Sequence, residues 1–225
     1  MKFHIRHEIQ PKDSFRVSAL KGLYDLETDK YVQEISGELG IDGVEWNVGL
    51  IVGSSGSGKS SIAKKCFGDA INFVWSNNSL IDDFPAELKS NEIFEALSAV
   101  GFASPPSWLK QFSVLSNGEK MRVELARAVL SNQDPIVFDE FTSVVDRQIA
   151  QVGSLAIQKY IRRAKKKFIA VACHRDIIPW LEPDWIFDTD KREFFFIQKS
   201  SGLNLSLQSA SARVSSGPSL ANIII

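Results

Sequence analysis

The 225-residue sequence predicts an α/β fold: a mostly parallel core sheet flanked by helices, with an antiparallel β lobe at the N-terminus. Three observations predict it. Residues 46–52 form a dense apolar run that ends at Gly53 and feeds a glycine-rich loop, and helix-compatible residues follow. Residues 135–138 form a second apolar run, closed by Asp139-Glu140 and followed by a long helical stretch. Residues 3–50, by contrast, alternate short apolar runs with turn-like breaks, the pattern of half-buried antiparallel strands.

Taken in order, Phe3-His4-Ile5-Arg6 and Phe15-Arg16-Val17 read as strands of the N-terminal lobe. After the apolar run and its loop, residues 71–75 read as a strand and 93–100 as a short helix, and Ser104-Pro105-Pro106-Ser107 marks a sharp break. From Ser116 a helix begins, with Met121, Leu125, Ala128 and Val129 recurring on one face. A strand at 135–138, a helix over roughly 147–165, a buried strand at 168–173 and a closing hairpin of 185–188 with 193–197 complete the pattern. Beyond Lys199 the chain turns to Ser, Asn, Gln and Gly with little periodicity. The expected organisation is therefore one domain over 1–198, its helical part at roughly 76–130, and a low-complexity flexible tail over 199–225.

Composition narrows the function classes. Hydrophobic residues at 44% and charged residues at 24% are ordinary for a globular chain, and a net charge of -1 argues against a dedicated nucleic-acid binder. The two cysteines, Cys66 and Cys173, have no disulfide or metal spacing and point to a reducing, cytoplasmic location. The first residues are too broken by charge for a signal peptide. Nowhere do about 18 apolar residues run together, so no membrane insertion is expected.

Gly53-Ser54-Ser55-Gly56-Ser57-Gly58-Lys59-Ser60 satisfies G-x-x-x-x-G-K-[ST] in full. Glycines let the backbone wrap phosphates with its N–H groups inward, and the following helix, entered through Ser60 and Ser61, presents its positive end. Lys59 would reach the β- and γ-phosphates of ATP, and the Ser60 hydroxyl would ligate Mg2+. The run ending in Asp139-Glu140 supplies the rest: an apolar strand projects its last residues at the sheet's carboxyl edge, where ligands of α/β folds sit. There Asp139 would hold the metal, and Glu140 would polarise the attacking water as general base.

Between these motifs lies Leu115-Ser116-Asn117-Gly118-Glu119, at the start of a helix. It resembles the LSGGQ signature of the ATP-binding-cassette (ABC) superfamily of P-loop ATPases. Ser143-Val144-Val145-Asp146 is similar to that family's D-loop, and His174 stands at the position of its switch histidine, so five elements occur in the family's order. The resemblance implies a homodimer formed on ATP binding, with two nucleotides sandwiched between two copies. Ser116 and the backbone of Gly118 would contact the partner's γ-phosphate, His174 would contact the γ-phosphate of its own subunit, and Asp146 would bridge the halves. Glu140, His174 and Lys59 are then the expected catalytic set.

Departures from the family pattern qualify the function. Asn117 and Glu119 replace glycine and glutamine, and no glutamine loop follows residues 71–75, where Asn77 or Asn78 would have to serve. The stretch between Lys59 and Ser116 is short, which implies a shortened helical subdomain and disfavours a transporter subunit. Among compact cassettes the chain is similar to a bacterial and phage group fused to a predicted acetyltransferase, so an acetyltransferase domain is an implied partner. Two alternatives to an active ATPase stand: a nucleotide-sensing module with little hydrolysis, and the ATP-binding subunit of a transporter. For stacking adenine, Phe15, Tyr24 and Tyr31 are candidates. The run Arg162-Arg163-Ala164-Lys165-Lys166-Lys167 reads as a solvated helix end first and a nucleic-acid contact second.

Overall fold

A computed structural model describes residues 1–26, 30–198 and 206–209. Strands β1 (Lys2–Ile9) and β2 (Tyr31–Glu38) pair antiparallel, from Lys2 opposite Glu38 to Ile9 opposite Tyr31. The connection between them contains helix α1 (Phe15–Tyr24), so the strand expected at Phe15-Arg16-Val17 is instead a helical first turn. Ser14 caps it, its hydroxyl accepting from the Val17 amide at 3.3 Å, and a capped start outweighs the weak strand pattern of three residues.

The main sheet has six strands in the order β4-β5-β3-β6-β7-β8. Its members are β3 (Val48–Val52), β4 (Ile136–Phe138), β5 (Phe168–Ala172), β6 (Trp185–Asp188), β7 (Glu193–Gln198) and β8 (Ser206–Ser209). The first four in sheet order, β4, β5, β3 and β6, run parallel; β7 and β8 return antiparallel. The predicted fold class is thus observed. The flexible tail expected over 199–225 lies outside the described residues, apart from the four of β8.

Strands β3 and β5 are buried at every residue, because each face of the sheet is covered. Alternate residues supply the two faces. Leu50, Ile136 and Ala170 pack with helices α3 (Ser90–Ala99), α5 (Asn117–Leu130) and α6 (Arg147–Ala164), whereas Ile51, Val137 and Ile169 pack with helix α2 (Lys59–Phe67) and the β1–β2 hairpin. Each such side chain contributes roughly 1.5–3 kcal/mol through removal of apolar surface from water. Trp185 anchors the second face, its ring meeting Trp46, Phe67 and Phe194 at 5.5–6.0 Å.

The strand expected at residues 71–75 does not form. The Ile71 amide donates to the Val137 carbonyl of β4 at 2.8 Å, but Trp75 then turns away to stack on Phe112 at 4.2 Å. Arg127 of α5 lies over both Phe73 and Trp75, which fixes this segment by ring contacts rather than by a ladder. Between Leu80 and Ala99 the chain forms a short 3-10 turn and α3, and Pro105 and Pro106 open a single-turn helix, α4 (Pro105–Trp108). No helix among the described residues is long and apolar enough to cross a membrane.

The basic run at 162–167 is engaged structurally. Arg162 pairs with Asp184, Lys166 donates to the Val129 and Ser131 carbonyls, and Lys167 lies over Trp46. These contacts close the C-terminal end of α6.

Candidate functional site

The register of the parallel strands sets the site. Val52 pairs with Ala172 on one side and Asp188 on the other, so the loops after β3, β5 and β6 leave the sheet at one level. Phe138 pairs with Ala170, which brings the Asp139-Glu140 corner to the same edge.

The loop after β3 enters α2 through Gly58, whose φ of 88° belongs to the left-handed region. No side chain caps α2, so the first N–H groups of this helix remain open to an incoming anion. A Cβ at Gly58 would also lie 2.2 Å from the Cδ1 of Ile35, so that side chain would have to shift. Lys59 is buried, and its ammonium donates to the Ser54 carbonyl at 2.6 Å across the loop.

A cleft of about 320 Å³ opens over this loop, lined by Ser55, Gly56, Gly58, Lys59, Ser60, Ser61 and Glu140 together with His7, Gln33 and Ile35 of the hairpin. It brings most of the predicted phosphate loop and the predicted base together. Glu140 holds φ 52°, a left-handed value uncommon for a residue with a Cβ. Its amide is held by the Asp139 carboxylate at 2.9 Å, and the next amide, Phe141, donates to Val171 of β5 at 2.8 Å. The corner is thereby pinned on both sides of Glu140, which leaves its carboxylate exposed toward the cleft.

Other predicted residues lie outside the cleft. Gly53, Ser54 and Ser57 form the back of the loop, facing Thr189 and Asp190. Asp139 is turned to its neighbour's amide, and His174 follows β5, its side chain exposed and without a hydrogen bond among the described residues. Asp146 caps α6, accepting from the Ile149 amide at 2.9 Å. Ser116 caps α5 and is exposed, and Gly118 packs so closely on α6 that a Cβ would sit 2.4 Å from Ile149. The predicted signature and D-loop residues therefore stand at two touching helix starts.

Glu119 is the departure with a visible consequence. Its carboxylate accepts from the Ser116 amide at 2.9 Å and from the Ser116 hydroxyl at 2.8 Å, closing a capping box. Those two bonds hold the Glu119 carboxyl below its usual range. The glutamate thus turns back onto the signature serine and does not extend into solvent.

Phe15, Tyr24 and Tyr31 are exposed and do not line the cleft, so the structure does not bring any of them to the phosphate loop. The hairpin residues that do are Ile35, Gln33 and His7, which contacts the Ser61 hydroxyl at 3.1 Å. No sequence signal marks His7 and Gln33; the register of the folded hairpin sets them opposite each other. Asn77 and Asn78 also stay out of the cleft, the Asn77 carbonyl being taken by Gln111 at 2.6 Å.

No protein-family model and no curated protein matches the chain. Solved structures do. A putative ABC transporter ATP-binding protein from Pyrococcus furiosus is 19% identical, with a TM-score of 0.53, over 71% of this chain and 90% of that one. A bacterial ABC transporter cassette, solved as a dimer in a post-hydrolysis state bound to ADP and Pi, is 15% identical, with a TM-score of 0.52, over 72% and 88%. A bacterial Atm1-family ABC exporter with ATP bound is 21% identical, with a TM-score of 0.51, over 63% of this chain. The chain spans only 32% of that exporter's length. The likeness to these structures is one of fold: the chain has the fold of an ABC ATPase cassette.

Proposed function

We propose that the chain binds MgATP at the loop formed by residues 53–60 and hydrolyses it with Glu140, in a head-to-tail pair of two copies. One observation carries this reading: the uncapped start of α2, Lys59, Ser60 and Glu140 share one cleft. The open N–H groups and the Gly58 turn fit phosphate oxygens, and Lys59 needs only to leave the Ser54 carbonyl to reach them. Ser60 and Asp139 are the residues that would hold magnesium. The described residues contain no cluster of three metal-ligating side chains, which fits an ion that takes most of its ligands from phosphate and water. When bound, the ion would supply charge neutralisation across the phosphates.

The chain's own residues then have distinct tasks. The loop and Lys59 orient the triphosphate, and Glu140, pinned by its neighbours, accepts a proton from the attacking water. Ser116 and Gly118 are absent from the cleft of their own chain and exposed or packed at a helix start, so they would act on a partner's nucleotide. His174 and Asp146 would serve the γ-phosphate and the subunit boundary. The neighbour solved as a dimer with ADP and Pi supports this arrangement for the fold.

Replacing Glu140 with Gln tests the proposal. The variant is expected to retain binding, to lose phosphate release by about 100-fold or more, and to accumulate as a nucleotide-bound dimer in light scattering. Unchanged turnover would remove Glu140 from its role.

A second reading, a nucleotide sensor with little hydrolysis, is favoured by the capping box. The Ser116 hydroxyl is engaged by Glu119, and freeing it for a partner's phosphate costs that bond. Phosphate release by the parent chain separates the two readings.

A further inference from the structure

The back of the phosphate loop carries a carboxylate. Asp190, just after β6, accepts from the Ser54 amide at 3.0 Å with each oxygen and from the Ser54 hydroxyl at 2.7 Å. Beside it, Thr189 meets the Ser57 hydroxyl at 2.6 Å, so two successive residues of this turn grip the loop. The approach is close enough that a Cβ on Gly53 would lie 2.0 Å from Thr189 Oγ1. A negative group is an unusual neighbour for a loop that would receive phosphates, because like charges repel.

Arg175 accounts for its presence there. Its Nη2 donates to Asp190 at 2.6 Å and its Nε and Nη2 fork onto Asp188 at 3.0–3.2 Å. Asp188 is buried, 7% exposed, and also accepts from the amides of Asp190 and Lys191, so it holds the arginine in a fixed direction. Bonding to both carboxylates keeps the Arg175 guanidinium firmly protonated, and the arginine with Ser54 holds the Asp190 carboxyl well below its usual range. Arg175 follows His174 directly, so the same guanidinium joins the turn after β6 to the corner after β5.

We propose that Asp190 and Arg175 are a positioning pair for the nucleotide: Asp190 fixes the loop through Ser54, and Arg175 cancels its charge so that the loop accepts a triphosphate. This rests on the nucleotide reading above. Neither residue touches the phosphates; both act through Ser54 and through the local field. Without Arg175 two carboxylates would stand uncompensated behind the loop.

Calorimetric binding of the magnesium complex of the β,γ-imido analogue of ATP to the full chain tests the pair. Arg175→Ala is expected to weaken binding about tenfold at about 50 mM salt and far less at about 500 mM, where charges are screened over a few ångströms. Adding Asp190→Asn to Arg175→Ala recovers most of that loss, since asparagine keeps an acceptor for Ser54 without the charge. A loss that ignores salt and is untouched by Asp190→Asn assigns the pair to packing alone and overturns the proposal, as does full-strength binding by Arg175→Ala. If circular dichroism shows Arg175→Ala unfolded, Asp190→Asn alone decides. Binding equal to or tighter than the parent's supports the pair, and a weakening beyond about threefold overturns it. A parent chain that does not bind the analogue overturns the nucleotide reading and this one with it, a result no variant is needed to see.

Discussion

The parallel core and the N-terminal lobe use their apolar residues in opposite ways. Strands β3, β4 and β5 bury every residue. The hairpin buries only Phe3, Ile5 and Ile35, and α1 buries nothing, with Phe15 and Leu23 more than three-quarters exposed. The difference teaches where rigidity is placed. Each group that fixes the phosphate loop hangs from a fully packed strand, whereas His7 and Gln33 reach the same cleft from a lobe held by a few side chains. The core dictates the geometry of the cleft, and the hairpin closes one wall of it.

Stability measurements can break this contrast or sharpen it. The largest loss is expected for Trp185→Ala, about 4–5 kcal/mol in urea unfolding, because a fully buried ring leaves a cavity between both ends of an aromatic cluster. Phe3→Ala comes next, at about 3 kcal/mol. Phe3 meets Phe187 edge-on at 5.6 Å, so the hairpin's few inward residues are expected to behave as core. A loss below about 1 kcal/mol there would show the hairpin folding independently of the sheet.

Asp184→Asn should cost about 2 kcal/mol, since the carboxylate accepts from the amides of Asn47 and Val48 and pairs with Arg162. Burial alone would raise the Asp184 carboxyl, but the Val48 and Asn47 amides and the Arg162 guanidinium outweigh it and hold it below its usual range. Its contribution is therefore full above about pH 4, the unfolded value, and is lost as pH falls through the folded one. The parent should lose stability on acidification below about pH 4 more steeply than Asp184→Asn, and equal acid slopes would remove Asp184 from this role. The smallest effect belongs to Leu23→Ser on α1, within about 0.5 kcal/mol by the same measurement.

The same contrast explains what the sequence revealed. Strands buried on both faces leave unbroken apolar runs, and residues 46–52, 135–138 and 168–173 were readable for that reason. The glycines and lysine of G-x-x-x-x-G-K-[ST] made residues 53–60 equally plain. The hairpin has no such constraint: α1 buries no residue fully, so Phe15-Arg16-Val17 had no periodicity to betray a helix. Residues 71–75 share a strand's composition but are held by Phe112 and Arg127, partners far along the chain. Asp190 was out of reach for the same reason, since its partner Ser54 lies 136 positions away. Only the acidic residues at the end of an apolar strand, Asp188 and Asp190, hinted that another carboxylate group faced the loop edge.

One end of the main sheet has a further consequence. Among the described residues β4 is its outermost strand there, only three residues long, and the carbonyl at its middle, Val137, is already taken by Ile71. A foreign strand arriving at this margin finds almost no free ladder to zip onto, which guards it against fibre-like growth. In the proposed pair of copies, contact would instead fall to loop tips and helix starts, which separate far more readily than a continuous backbone seam.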